Sequence, residues 1–265
     1  MLAHSDKNRD SLTITHGDRM SRLNVTLLLF ATMTCPSWGH AAGPPSPLPN
    51  SDATEAVAIS ESPLPQYKPR KLDAPRARIG GQIRSLEAGT PLLVALVPDH
   101  LAFTVKNDPA LCWYLSTQIS RPITVTVVDA RGIRPILEQS LPSAAGAGIH
   151  CVRPREYGVE FKAQESYRWF VTVVVDESRP SQDVVAGGMI ERISFDEACT
   201  LGMPCTSSSC NIEGIYRYSE SGLWYDAIGC LLDLINQDHD KDRLQRMLDH
   251  LLRQAGVYLP NGPQP

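Results

Sequence analysis

The chain has 265 residues, a net charge of −4 and a pI near 6.0, and its 42% hydrophobic content is enough to build a core. That length holds one large domain or two small ones. The acidic balance, with no block of Lys or Arg along the folded part, argues against the clustered cations with which proteins neutralise nucleic-acid phosphates.

Near the N-terminus, the apolar run Leu27 to Met33 (LLLFATM) follows Arg19 and Arg22 and precedes Gly39-His40-Ala41. This is the order of a secretory signal, residues 1–41, cleaved after Ala41. The run is shorter than the roughly 20 residues a membrane-spanning helix needs. The polar residues before Met20 carry both signs of charge, so translation starts at Met1 or at Met20. Cys35 offers lipoprotein anchoring as an alternative, with Thr32 where such sites usually have Leu. The expected location is the periplasm or the exterior. Residues 42–80, with pieces such as AGPPSPLPN and ESPLPQYKP, lack apolar periodicity and read as a disordered or polyproline-II tether. Lys68-Pro69-Arg70-Lys71 reads there as solvated charge rather than an anion site.

From residue 81 the pattern turns to short apolar runs of period two, predicting strands. They are Leu92 to Val97, Leu101 to Val105, Leu111 to Leu115, Ile123 to Val127, Ile133 to Glu138, Tyr167 to Val175 and Met189 to Ile193. Pro135 marks its segment as an edge strand. Tyr167 to Val175 alternates bulky residues on one face and belongs at the centre. About seven strands over 81–193 fit an immunoglobulin/fibronectin-like antiparallel β-sandwich. Tyr167 either ties its hydroxyl to nearby backbone, as a tyrosine corner does, or is a half-buried aromatic with no special bond.

Over 194–260 the period becomes helical, predicting a helical hairpin packed on the sandwich within the same domain. Ser194 and Glu197 have capping-box spacing for a short helix, and Ile212 to Ser219 forms a second. After Gly222, a third helix carries Trp224, Ile228, Leu231, Leu232 and Ile235 on one face. The fourth runs from about Asp240 to Ala255, with Leu244, Met247, Leu248, Leu251 and Leu252 as its stripe and Gly256 as its stop. SGLWYDAI (221–228) reads as the turn of a single tetratricopeptide-type hairpin, a packing solution rather than a groove.

Seven cysteines less Cys35 leave Cys112, Cys151, Cys199, Cys205, Cys210 and Cys230, an even number that suggests disulfides in an oxidising compartment. Among the last four three pairings are open, Cys210–Cys230 being one, and Cys112 would then pair with Cys151 across the sandwich. Short C-x₂₋₄-C pairs that preorganise zinc are missing, as is the C-x-x-C of redox catalysis. His150 and Cys151, as strand neighbours, point to opposite faces and make no nucleophile–base pair; His100, His239 and His250 are the other histidines of the mature part. Asp238, Asp240 and Asp242 resemble the start of a calcium loop, but Arg243 and Asp249 stand where Gly and Glu are needed. Asp238 or Asp240 as cap of the last helix is the plainer reading. Ser207 to Ser209 lack a nucleophile-elbow setting, and Gly187-Gly188 is no phosphate loop.

Together LVALVPD (93–99), PALCWYL (109–115), YRWFVTVVVD (167–176), GMIERI (188–193) and SGLWYDAIGCLLDL (221–234) resemble a bacterial family known as domain of unknown function 928, over about residues 85–260. The resemblance implies an exported protein and transfers no catalytic residue. This chain departs from the pattern at Met189, where Trp is more usual, and in a cysteine-rich insert at 199–210. The functional expectation is a non-catalytic binding module of the cell envelope, with no cofactor and an unknown protein or envelope component as partner. Tyr216, Tyr218, Trp224 and Tyr225 are its candidate interaction surface. The alternative is an enzyme or metal-binding protein using the Cys199–Cys210 loop.

Overall fold

The computed structural model describes residues 63–70, 77–80 and 91–260, apart from 130, 131, 133, 143, 144, 177, 201, 204–208, 238 and 239. The expected signal, Cys35, Cys205, Asp238 and His239 lie outside the described residues. Strands β1 (Leu93–Ala95), β2 (Ala102–Thr104), β3 (Leu111–Leu115), β4 (Ile123–Asp129), β5 (Pro135–Leu141), β6 (Gly148–Val152), β7 (Glu165–Val173) and β8 (Val184–Arg192) precede the four helices. These are α1 (Phe195–Thr200), α2 (Ile212–Glu220), α3 (Trp224–Asn236) and α4 (Lys241–Gln254). The protein is thus mainly β with a helical end.

The strands form two sheets, one ordered β2-β8-β7-β4-β5 and one ordered β1-β3-β6. In the larger sheet the period-two pattern dictates what is buried. Ile123, Val125 and Val127 of β4 and Tyr167, Trp169, Val171 and Val173 of β7 all face the core, in the register Val125↔Val171 and Val127↔Trp169. Each such side chain contributes about 1.5–3 kcal/mol on burial. β7 lies mid-sheet and β5, with Pro135, at the edge, as the pattern predicts. The sheet is not wholly antiparallel, which corrects the expectation: β2 runs parallel to β8, Ala102 opposite Ile190. No hairpin joins these two strands, so no turn fixes their relative direction. The Tyr167 hydroxyl accepts the Lys162 N–H at 2.9 Å and donates to Glu165 at 3.0 Å, so the backbone bond is made.

Two of the helices, α1 and α2, begin where a side chain satisfies backbone. Ser194 Oγ accepts the Glu197 N–H at 3.1 Å, and Asn211 Oδ1 accepts that of Gly214 at 2.8 Å. Both α2 and α4 close in Schellman motifs. Gly222, at φ +72, donates to Ser219 O while Leu223 donates to Tyr218 O. Gly256, at φ +67, donates to Arg253 O while Val257 donates to Leu252 O. Asp240 occupies the N-cap position of α4 but its side chain makes no capping bond, because its backbone is left-handed there, at φ 43. The predicted stripe of α4 is buried from Leu244 to Leu252, and one continuous core joins both sheets to α2, α3 and α4.

The stretch read as a tether is more than a tether. Residues 63–70 lie on the domain with Pro65 and Tyr67 buried, and Ile79 bridges to Gly187. Composition reads this segment as unable to bury enough of itself; Tyr67 does so against residues far along the chain.

Candidate binding groove and cleft

Of the four aromatics expected to form an interaction surface, Tyr218, Trp224 and Tyr225 are core residues, 1%, 0% and 3% exposed; Tyr216 is half-buried. The reason is polar as well as apolar. Trp224 Nε1 donates to Leu96 O at 2.9 Å, and the Tyr225 hydroxyl accepts from Trp169 Nε1 at 2.9 Å while donating to Met189 O at 3.1 Å. Gly188 makes room for this arrangement: a Cβ there would lie 2.7 Å from Val97 Cγ2 and 3.4 Å from the Tyr225 hydroxyl. Burial pushes the Tyr225 phenol up, which keeps it a neutral donor.

What covers this region is the segment 63–70. It carries no secondary structure of its own, and it is held by its backbone. Gln254 reads it twice, accepting the Tyr67 N–H on Oε1 at 2.7 Å and donating from Nε2 to Pro65 O at 3.2 Å. Lys68 N–H donates to Ser219 O at 3.1 Å, and the Tyr216 hydroxyl donates to Pro63 O at 2.6 Å. The Tyr67 ring packs edge-on to Trp224 with centroids 4.8 Å apart, and its hydroxyl lies 3.0 Å from His100 Nε2. Burial pushes the Tyr67 phenol up. Burial and the Arg253 cation push the His250 imidazole down, which leaves its Nε2 able to accept the Gln66 amide at 3.1 Å. Arg70 lies over the Phe103 ring, 4.9 Å from its centroid, and pairs with Glu197 at 3.5 Å.

Beneath this groove is Asp226, fully buried in the first turn of α3. Its Oδ2 accepts the Val105 N–H at 3.1 Å, and Oδ1 has no hydrogen-bond partner among the described residues. Burial pushes its carboxyl up to about 6, opposed by the Lys106 cation, the Thr104 hydroxyl and backbone N–H groups. It latches α3 to the end of β2.

A second concavity, a cleft of about 660 Å³, lies between the β3–β6 side of the smaller sheet and the far end of the α3–α4 pair. Tyr114, Ile149, Leu232, Ile235, Leu248 and Leu259 give it apolar walls, and Asn236, Gln245 and Asp249 supply polar groups. Gln245 donates to Asp249 Oδ1 at 3.1 Å. Cys151 reaches the same cleft, bridged to Cys112.

That bridge joins directly paired residues of β3 and β6 within one sheet, so it does not cross between sheets as expected. Cys210 bridges Cys230 and ties the turn before α2 to α3, which removes the Cys210 thiol as a metal ligand or nucleophile. Cys199 sits half-buried on α1, outside both bridges. His150 stacks near Trp113 and bonds Gly146 O at 2.8 Å. Among the described residues no three His, Cys, Asp or Glu side chains converge as a metal site, and no helix is long and apolar enough to cross a membrane.

Sequence reasoning missed Tyr67, Gln254 and Ser219 in the groove and every residue of the cleft but Cys151, which it named only as a disulfide candidate. The one signal for the groove was a tyrosine set among prolines; the cleft residues gave none, since Ile235 and Leu248 read only as helix stripe.

A β-rich domain stapled by two disulfides and closed by a helical segment is the class these observations define. The chain matches the family described as Domain of Unknown Function (DUF928) over residues 77–259, and it belongs to that family. No curated protein matches it.

Proposed function

We propose that this protein is a non-catalytic binding module of the cell envelope, exported to the periplasm or beyond, that takes its ligand in the cleft between β3–β6 and α3–α4. The cleft carries this reading: its volume falls in the range of small-ligand sites, and its apolar walls with three polar groups are the lining such sites have. Two disulfides support an oxidising compartment. For the fold we propose a variant of the immunoglobulin/fibronectin-like sandwich in which β2 is parallel; the Tyr167 backbone bond supports it. The test uses anilinonaphthalene sulfonate as an apolar probe. Its fluorescence is expected to rise on adding the folded chain and to stay low with Ile235→Arg at unchanged circular dichroism. An equal rise with both proteins removes the cleft as the site.

A further inference from the structure

We propose that the groove beneath residues 63–70 is a recognition site for proline-rich peptide, filled in cis by the chain's own arm, and that it accepts the same arm from a second copy of this chain. Four features make the arm a ligand rather than a loop. It has Pro63, Pro65 and Pro69 spaced along an extended segment without internal backbone–backbone hydrogen bonds, the form in which proline-rich ligands are recognised at low entropic cost. Its main chain is read by groove side chains: the Gln254 amide takes both a donor and an acceptor, and Tyr216 takes the Pro63 carbonyl. Tyr67 is a buried aromatic anchor, 8% exposed, in a pocket made by Trp224 and His100. The groove floor is cut to the arm at Gly222, where a Cβ would stand 2.7 Å from Lys68 O and 2.5 Å from Arg70 Cγ.

The choice of a second copy follows from where these contacts lie. The partners of Pro63, Pro65, Tyr67 and Lys68 are His100, Tyr216, Ser219, Trp224 and Gln254, 33 to 189 residues away for the side-chain bonds. None of these contacts depends on the link through residues 71–76, so an arm from another molecule makes every one of them. The short link gives the cis arm an effective concentration in roughly the millimolar range, which favours self-occupancy while the arm is intact. Disabling one arm therefore vacates one groove.

The experiment mixes two variants of the full chain. Tyr67→Ala disables the arm and leaves the groove, whereas Gln254→Ala combined with Tyr216→Phe disables the groove and leaves the arm. Each alone is expected to scatter light as a monomer, and the equal mixture as a one-to-one dimer. A mixture that remains monomeric overturns the proposal. A second measurement serves even where Tyr67→Ala folds poorly: wild-type chain cut at a protease site placed within 71–76 is titrated with a labelled synthetic peptide of residues 61–72. Saturable exchange is expected, with the Tyr67→Ala peptide about tenfold or more weaker. No uptake, or equal uptake of both peptides, overturns it.

Discussion

The two ends of the α3–α4 pair meet solvent in opposite ways. Where α3 begins and α4 stops, the concavity is filled by residues 63–70, and its polar atoms point at a peptide backbone: Ser219 O accepts from both Gly222 and Lys68. Where α3 stops, the cleft is open and its polar groups bond each other, Gln245 to Asp249. The difference teaches that helix ends shape the concavities here. A Schellman turn with a glycine lets a second strand of chain approach within hydrogen-bond distance, whereas a surface of side chains alone leaves room only for side-chain contacts.

The sharpest break of that contrast is Trp224→Ala, which removes the wall against Tyr67 and the bond to Leu96 O. It should cost about 3–5 kcal/mol in urea unfolding. On the cleft side the largest effect should come from replacing Cys112 and Cys151 together by Ala, about 2–4 kcal/mol, with loss of the apolar-probe signal as β6 is released.

Asp226 adds a pH dependence to the groove side. Its folded carboxyl binds a proton up to about 6, whereas the unfolded one releases it near its ordinary value of 3.8. Below that value both states are protonated and the group is neutral to stability. As pH rises from there towards about 6 the unfolded carboxyl ionises while the buried one keeps its proton, so the native state loses stability; above about 6 both are ionised and the loss levels off. Relative to Asp226→Asn, wild type should therefore weaken by about 2–3 kcal/mol between pH 4 and 7 in urea titrations; a flat difference would place the carboxyl in contact with water. Tyr67→Phe keeps the ring and loses the hydroxyl at His100, so a loss of about 1 kcal/mol is expected in the same assay. Ile235→Arg, on the half-exposed cleft wall, should shift unfolding by no more than about 0.5 kcal/mol.

How far the sequence was legible follows the same division. β4, β7 and α4 announce themselves because one face of each is buried along its whole length, so burial and period coincide. β6 was not delimited beyond the His150–Cys151 pair taken as strand neighbours: Gly148, Ile149 and His150 are all half-buried and Cys151 is exposed, which leaves no alternation to read. The start of β8 was hidden by Ala186, Gly187 and Gly188, which are buried without bulk. The aromatics of α2 and α3 suggested a surface because nothing local covers them. Their cover arrives from residues 63–70, from Leu96 just past β1 and from Met189 within β8, separations no local pattern encodes.

The arm also sets an order of events for a growing chain. Synthesis runs from the N-terminus, so Pro65 exists long before Gln254, its clamp 189 residues later. At about 5–20 residues per second the interval is roughly ten to forty seconds. Throughout it Tyr67 lacks its Gln254 clamp, though His100 and then Trp224 emerge earlier, and the seal over Trp224 closes only when the last helix is complete.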